Sequence, residues 1–340
     1  MPSPFSLPLA GTLLALLPVL FFLGLLLYLD SYKLVRLRTI LLLVTAGAVL
    51  TVVSYGLTKV LLELGQFDFA SYTLFGSPLT EEALKASVVI YLIRTHRVGF
   101  LVDAALLGFA IGTGFATAEN LYFLHAMPDA SMSLWTARGF GTALMHGGAT
   151  ALFATIGMVM RERRSYFPGQ AYIPALLAAT ALHSAFNELH RMPTMALLLV
   201  LVLVPLSLFM AFRHGERVVG EWLGRGFDAD AELLELIDSG DFAGSPAGLY
   251  LSSLKDRFTG LVMADLLCYL RLTTELTMRA KGLLLMRENG FDPAIDDDTR
   301  DKFGELRYLE KSIGKTGVLA LQPMLHTSRS DLWQLFLGAD

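Results

Sequence analysis

The chain has 340 residues and a formal net charge of −4, with 54% hydrophobic and only 17% charged residues. A soluble domain of this size carries about a quarter charged residues, so the composition excludes an ordinary soluble protein and indicates a membrane one. A single cysteine, Cys268, excludes an internal disulfide and a cysteine-built metal cluster, and no basic stripe marks a nucleic-acid partner. Charge is unevenly divided. Residues 1–213 hold 13 Lys/Arg and 10 Asp/Glu, a net +3, while residues 214–340 hold 14 and 21, a net −7. Two regions in different solvents follow: a transmembrane bundle over 1–213 and an acidic, mostly helical cytoplasmic region over 214–340.

A membrane-crossing helix needs about 20 apolar residues. In chain order the candidates are 7–29, 39–62, 78–93, 100–123, 134–160, 171–190 and 194–212. The expected fold is therefore all-α, a polytopic bundle of about seven spans. Residues 1–30 lack a charged leader and a small-residue cleavage site, so the first run reads as a retained span rather than a signal peptide. The third run is the least apolar. It starts after Gly76-Ser77-Pro78, which reads as a helix breaker, and contains Glu81, Glu82 and Lys85.

With the N-terminus outside, the inner side receives Lys33, Arg36, Arg38, Arg94, Arg97, Arg161, Arg163, Arg164 and Arg213. The outer side and outer half receive only Lys59, Lys85, Arg138 and Arg191. Nine against four follows the positive-inside bias, requires an odd number of spans and places the C-terminus in the cytoplasm. Beyond the bundle, 226–247 reads as a linker or loop because of Gly226, Asp228, Asp230, Gly240, Gly244 and Pro246, with a short helix over 231–237. Over 249–286 apolar residues recur at helical spacing, which predicts an amphipathic helix or helix pair able to bind a cytoplasmic protein partner.

Ionisable residues inside a bilayer are costly and are functional candidates by default. Here they are Glu81, Glu82 and Lys85 on span three, Glu119 and Asn120 on span four, His146 on span five, and His183 and Asn187 on span six. Counted from the inner charged ends at about 1.5 Å per residue, Glu82, Glu119, His146 and His183 lie roughly 18, 24, 22 and 17 Å deep. Four helices thus carry their costly residues at one height, in the outer half. His183 and Asn187 share a face at i, i+4, and Glu119 lies above Gly108 and Gly112, spaced for close helix approach. Glu81 and Lys85 are also i, i+4, predicting an ion pair that leaves Glu82 the less committed carboxylate.

Such a set suits hydrolysis. A carboxylate in a water-poor pocket can act as general base, and imidazole and amide groups can donate to a developing oxyanion. No zinc-binding HExxH helix, GxGD motif or GxSx nucleophile occurs in a span. No cofactor is required by these residues, although two histidines and a carboxylate could also hold zinc or another divalent metal with one position open. Taken singly, each histidine is more often a satisfied interhelical hydrogen bond, and the same buried line could serve a proton or cation pathway. A scaffold without catalysis and with a signalling tail is the third reading.

At these residues the sequence resembles the PrsW-type intramembrane proteases, and the wider group that includes type II CAAX prenyl endopeptidases. The resemblance is carried by Glu81-Glu82-Ala83-Leu84-Lys85 as an EExxK motif, by Glu119-Asn120, by His146, and by His183 with Asn187 as HxxxN. It covers about 70–215. It implies an intramembrane endopeptidase acting on a membrane-anchored protein, often an anti-sigma factor. It also implies Glu82 as the water-activating base, Glu81 as its support, and His146 and His183 as oxyanion donors or metal ligands. The long C-terminal region has no counterpart in that resemblance.

Overall fold

The computed structural model describes residues 9–30, 35–65, 68–95, 97–163, 170–189, 192–289, 291 and 293–325. Among these residues every regular element is a helix and no strand occurs. Lys33, Arg164 and Arg191, which enter the charge asymmetry, lie outside the described residues.

The first compact unit comprises residues 1–31 and 35–216. Its centre is α5 (Leu101–Ala126), most of whose first sixteen residues are buried. The Asp103 carboxylate accepts from the Phe100 N–H at 3.2 Å and so caps the helix start. Glycines let other backbones reach α5. A Cβ on Gly114 would stand 1.9 Å from the Val44 carbonyl oxygen of α2 (Leu37–Gly65), and one on Gly112 would stand 2.2 Å from the His146 oxygen of α7 (Ala143–Arg163). This small-residue packing replaces the hydrophobic driving force that lipid cannot supply. It also brings the Glu119 helix against the His146 helix.

Besides α2 and α7, α1 (Leu9–Leu29) and α4 (Ser77–Arg94) touch α5, while α8 (Ile173–Glu188) packs on α7 and α4, α6 (Met132–Ala137) packs on α1, and the short α3 (Phe69–Ser71) leads into α4. Gly76-Ser77-Pro78 does not break the chain as expected. A π-helical turn, Tyr72–Gly76, joins α3 to α4 without leaving helical backbone, and Pro78, which has no N–H to give, follows directly on that widened turn. A second π-turn, Arg138–Thr142, joins α6 to α7.

Among the described residues, five helical stretches are long and apolar enough to cross a membrane: Leu9–Leu29, Leu37–Gly65, Leu101–Ala126, Met132–Arg161 and Thr194–Arg217. The other two expected spans are helices α4 and α8. The first is 18 residues with Glu81, Glu82, Lys85 and Arg94 on it, and the second is 16 residues. The chain is an all-α, multi-pass membrane bundle.

The largest departure lies at the C-terminal side. Helix α9 runs unbroken over Pro193–Ser239, so Gly226 and the aspartates of 226–239 form helix rather than a linker. It ends at Gly240, whose φ of 86° is the left-handed conformation that stops a helix cheaply only with glycine. The second compact unit comprises 32–34 and 217–340, with α10 (Pro246–Ser253), α11 (Gly260–Glu288) and α12 (Asp297–Leu321). The apolar periodicity of 249–286 thus resolves into a pair of helices. Leu266, Leu270, Leu276 and Leu284 of α11 and Phe303, Leu306 and Leu321 of α12 are among the unit's buried apolar residues. Lys281, fully buried, is matched by Asp230 at 2.7 Å.

Candidate active site

Helices α4, α5, α7 and α8 bring the costly residues of four segments together. On α4 the adjacent carboxylates face different surroundings, because successive helical residues point about 100° apart. Glu82 turns inward. Its Oε1 accepts from Lys85 Nζ at 2.6 Å and lies 2.9 Å from His183 Nδ1. Lys85, with no exposed surface, also reaches His146 Nδ1 at 3.0 Å and sits 4.6 Å above the Phe115 ring. Glu81 turns toward a cavity. Its Oε1 accepts from Ser77 Oγ at 2.6 Å, and its buried Oε2 has no hydrogen-bond partner among the described residues.

The expected Glu81–Lys85 ion pair is therefore replaced by Glu82–Lys85 at i, i+3, and the less committed carboxylate is Glu81. Both spacings place two residues on one helix face, so spacing alone does not choose between them. Lys85 chooses Glu82 because the buried ammonium finds His146 as a second partner on that side.

These contacts assign the imidazole protons. An ammonium held by a carboxylate only donates, so His146 Nδ1 accepts and its proton resides on Nε2. That Nε2 donates toward Glu119 Oε2 at 3.2 Å. His183 donates from Nδ1 to Glu82, which leaves the Nε2 lone pair facing Glu81 Oε2 at 4.0 Å. The two rings stand edge to face, 4.8 Å apart.

Glu119 is held from a second side. Arg138 Nη2 donates to its Oε2 at 3.0 Å, while Arg138 Nε donates to Asn120 Oδ1 at 2.9 Å. Sequence reasoning counted Arg138 only as an outer charge and missed it as a site residue. The signal was there: Arg138, Thr142 and His146 recur every four residues along one span. Asn187 borders the cavity with its Nδ2 donating to the Thr73 carbonyl at 3.0 Å.

The cavity measures about 480 Å³ and is lined by Glu81, Glu119, Arg138, His146, His183 and Asn187, with Tyr55, Thr58 and Tyr72 among its walls. Glu82, Lys85 and Asn120 stand behind it. One ligand atom each from Glu81, His146 and His183 lie within 4.8 Å of one another, and all three residues are buried. A carboxylate oxygen without a partner and an imidazole lone pair facing it are the donors a divalent cation requires. His146 would join them in its other tautomer, with Lys85 passing a proton to Nδ1 and the Nε2 proton released on metal binding, which leaves Glu119 ionised. By these tests the residues fit a metal.

A family model described as PrsW family intramembrane metalloprotease matches residues 35–211, more than half of the chain. The chain belongs to that family. The match contains every site residue named above and leaves out α1 and the second unit. No curated protein and no solved structure matches the chain significantly. PrsW-family membership makes the bundle an intramembrane protease, and its substrates are membrane proteins reached within the bilayer.

Proposed function

We propose that this PrsW-family protease hydrolyses a peptide bond of a membrane-anchored regulatory protein, such as an anti-sigma factor, with a divalent cation held by Glu81, His146 and His183. The observation that carries this reading is the partnerless Glu81 Oε2, buried beside two histidines that offer ligand atoms within 4.8 Å. When bound, a cation such as zinc supplies Lewis acidity, polarising a carbonyl or a water.

The residues around it have separable tasks. Glu82 fixes the tautomer and ring direction of His183, as the outer partner of a ligating histidine does. Lys85 neutralises Glu82 and orients His146. Glu119 Oε2 is engaged by Arg138 and His146, whereas Oε1 has no hydrogen-bond partner among the described residues, so Oε1 is placed to accept the proton of an attacking water. Asn187 presents an amide at the cavity for the substrate backbone. Glu82, behind the cavity, supports the chemistry rather than activating water.

A second reading is favoured by the His146 tautomer. With the proton on Nε2, His146 is an oxyanion donor and Glu81 itself the base, with no metal. The nine-to-four basic asymmetry supports an outside N-terminus, an outer-half cavity and a cytoplasmic C-terminal region that selects substrate or binds a cytoplasmic partner.

The test is purified full chain with a library of tagged single-span substrates, assayed as isolated, after chelation, and after metal return, with elemental analysis. Cleavage lost on chelation and restored by zinc, with bound metal absent from His183→Ala, is the expected outcome. Full cleavage by metal-free protein would overturn the metal and leave the second reading.

A further inference from the structure

We infer that α1, outside the region that defines the family, belongs to the catalytic apparatus: it braces Arg138 as the positioning residue that aims Glu119. This rests on the role given to Glu119 above and extends it to a helix with no chemistry of its own.

The brace is a chain of hydrogen bonds. Ala15 of α1 presents its carbonyl to Asn120 Nδ2 at 2.8 Å. Asn120 is fully buried, and its other atom, Oδ1, accepts from Arg138 Nε. Arg138 then donates from Nη2 to Glu119 and lies 3.9 Å over the Phe123 ring. Three contacts fix the guanidinium plane, so only one orientation of the Glu119 carboxylate is bound by both Arg138 and His146. An arginine at this depth is expensive, and these partners account for its presence.

A second observation places α1 independently. Gly139 follows Arg138 in the π-turn, and a Cβ there would stand 1.8 Å from the Leu14 carbonyl oxygen. Leu14 O is the oxygen that residue 18 would engage in an ordinary helix, but residue 18 is proline and has no N–H. Consecutive carbonyls of α1, Leu14 and Ala15, thus meet the turn that carries Arg138 and the amide that orients it. Helix α1 stays continuous but lacks one backbone N–H, at Pro18, and the Leu14 carbonyl this leaves free of that bond is the one that Gly139 approaches too closely for any Cβ.

The experiment uses the full chain and a substrate found by the assay above, with kcat, KM and melting temperature measured for Arg138→Ala, Asn120→Ala and Leu17→Ala. Leu17 is the control on α1, 53% exposed toward lipid. Misplacing a reacting group by about 1 Å costs roughly 100-fold, so Arg138→Ala should lose about that factor in kcat with KM little changed. Added methylguanidinium should restore much of the loss by filling the vacated cavity wall, which a merely structural defect would not allow. Asn120→Ala should lose roughly 10-fold without methylguanidinium rescue, and Leu17→Ala should match the parent.

Wild-type kcat in Arg138→Ala, or a loss that methylguanidinium leaves untouched, overturns the positioning role. Wild-type kcat in Asn120→Ala overturns the part given to α1. Should Arg138→Ala fail to fold, Arg138→Lys carries the test. It keeps the charge but holds one partner rather than two, so an undiminished kcat refutes the inference. Glu119→Gln separates this from failure of the underlying reading: if that variant cleaves normally, Glu119 is not the base, whatever Arg138 does.

Discussion

Replacing Glu81 and Glu82 by glutamine, one at a time, should separate two neighbouring carboxylates by the kind of damage each causes. In Glu82→Gln the Lys85 ammonium, fully buried and 2.6 Å from the carboxylate, loses its counter-charge. Removing one partner of a buried ion pair costs about 3–5 kcal/mol. The glutamine carbonyl still accepts hydrogen bonds from Lys85 and His183, which places the cost near the lower end, about 3 kcal/mol. At about 2–4 °C per kcal/mol for a unit of this size, the melting temperature should fall by roughly 6–12 °C.

Glu81→Gln behaves differently. Its Oε1 bond from Ser77 survives in the amide, and its Oε2 has no hydrogen-bond partner to lose. Stability should change by no more than about 1 kcal/mol, or roughly 2–4 °C. Cleavage should nevertheless disappear, because a neutral amide oxygen is a poor replacement for a carboxylate as a metal ligand or base. Melting curves in detergent and turnover of a single-span substrate, measured on the same preparations, give both numbers. The reasoning is refuted if Glu82→Gln melts with the parent protein, or if Glu81→Gln retains cleavage.

Gly112→Ala should lower both stability and turnover: its Cβ would lie 2.2 Å from the His146 carbonyl oxygen, and overpacking of this kind costs about 1–3 kcal/mol. Thermal melting and kcat of that variant check it, and a neutral result would mean that α5 and α7 can separate freely. A reporter active only in the cytoplasm, fused after the last residue, should give signal, whereas activity only of a periplasm-dependent reporter would reverse the orientation. A chain ending at Glu216 should still fold and keep the Glu81, His146 and His183 cluster, because those residues lie in a unit with its own core. Melting and metal content of that truncation decide this, and an unfolded product would make the second unit structural.

Much of this protein is local and was legible without coordinates. Hydropathy over some twenty residues reports burial in lipid directly, so class, helices and the costly residues at a common depth follow from the chain. The EExxK, Glu119-Asn120, His146 and His183 pattern likewise marked the family. Local reading failed where two arrangements share one spacing or where a partner comes from far along the chain. Glu81 and Glu82 both sit a turn from Lys85, and only the position of His146 on α7 decides which is clamped and which faces the cavity. Gly76-Ser77-Pro78, and Gly226 with the aspartates after it, carry low helix propensity, yet a π-turn and a continuous α9 absorb them, because propensity is a weak force beside helix packing. Arg138 looked like an outer charge until Glu119, nineteen residues away, and Ala15, through Asn120, were found beside it. Sequence named the groups that must be satisfied inside the membrane, and tertiary packing alone chose their partners, since each choice depends on which helices approach within hydrogen-bond reach.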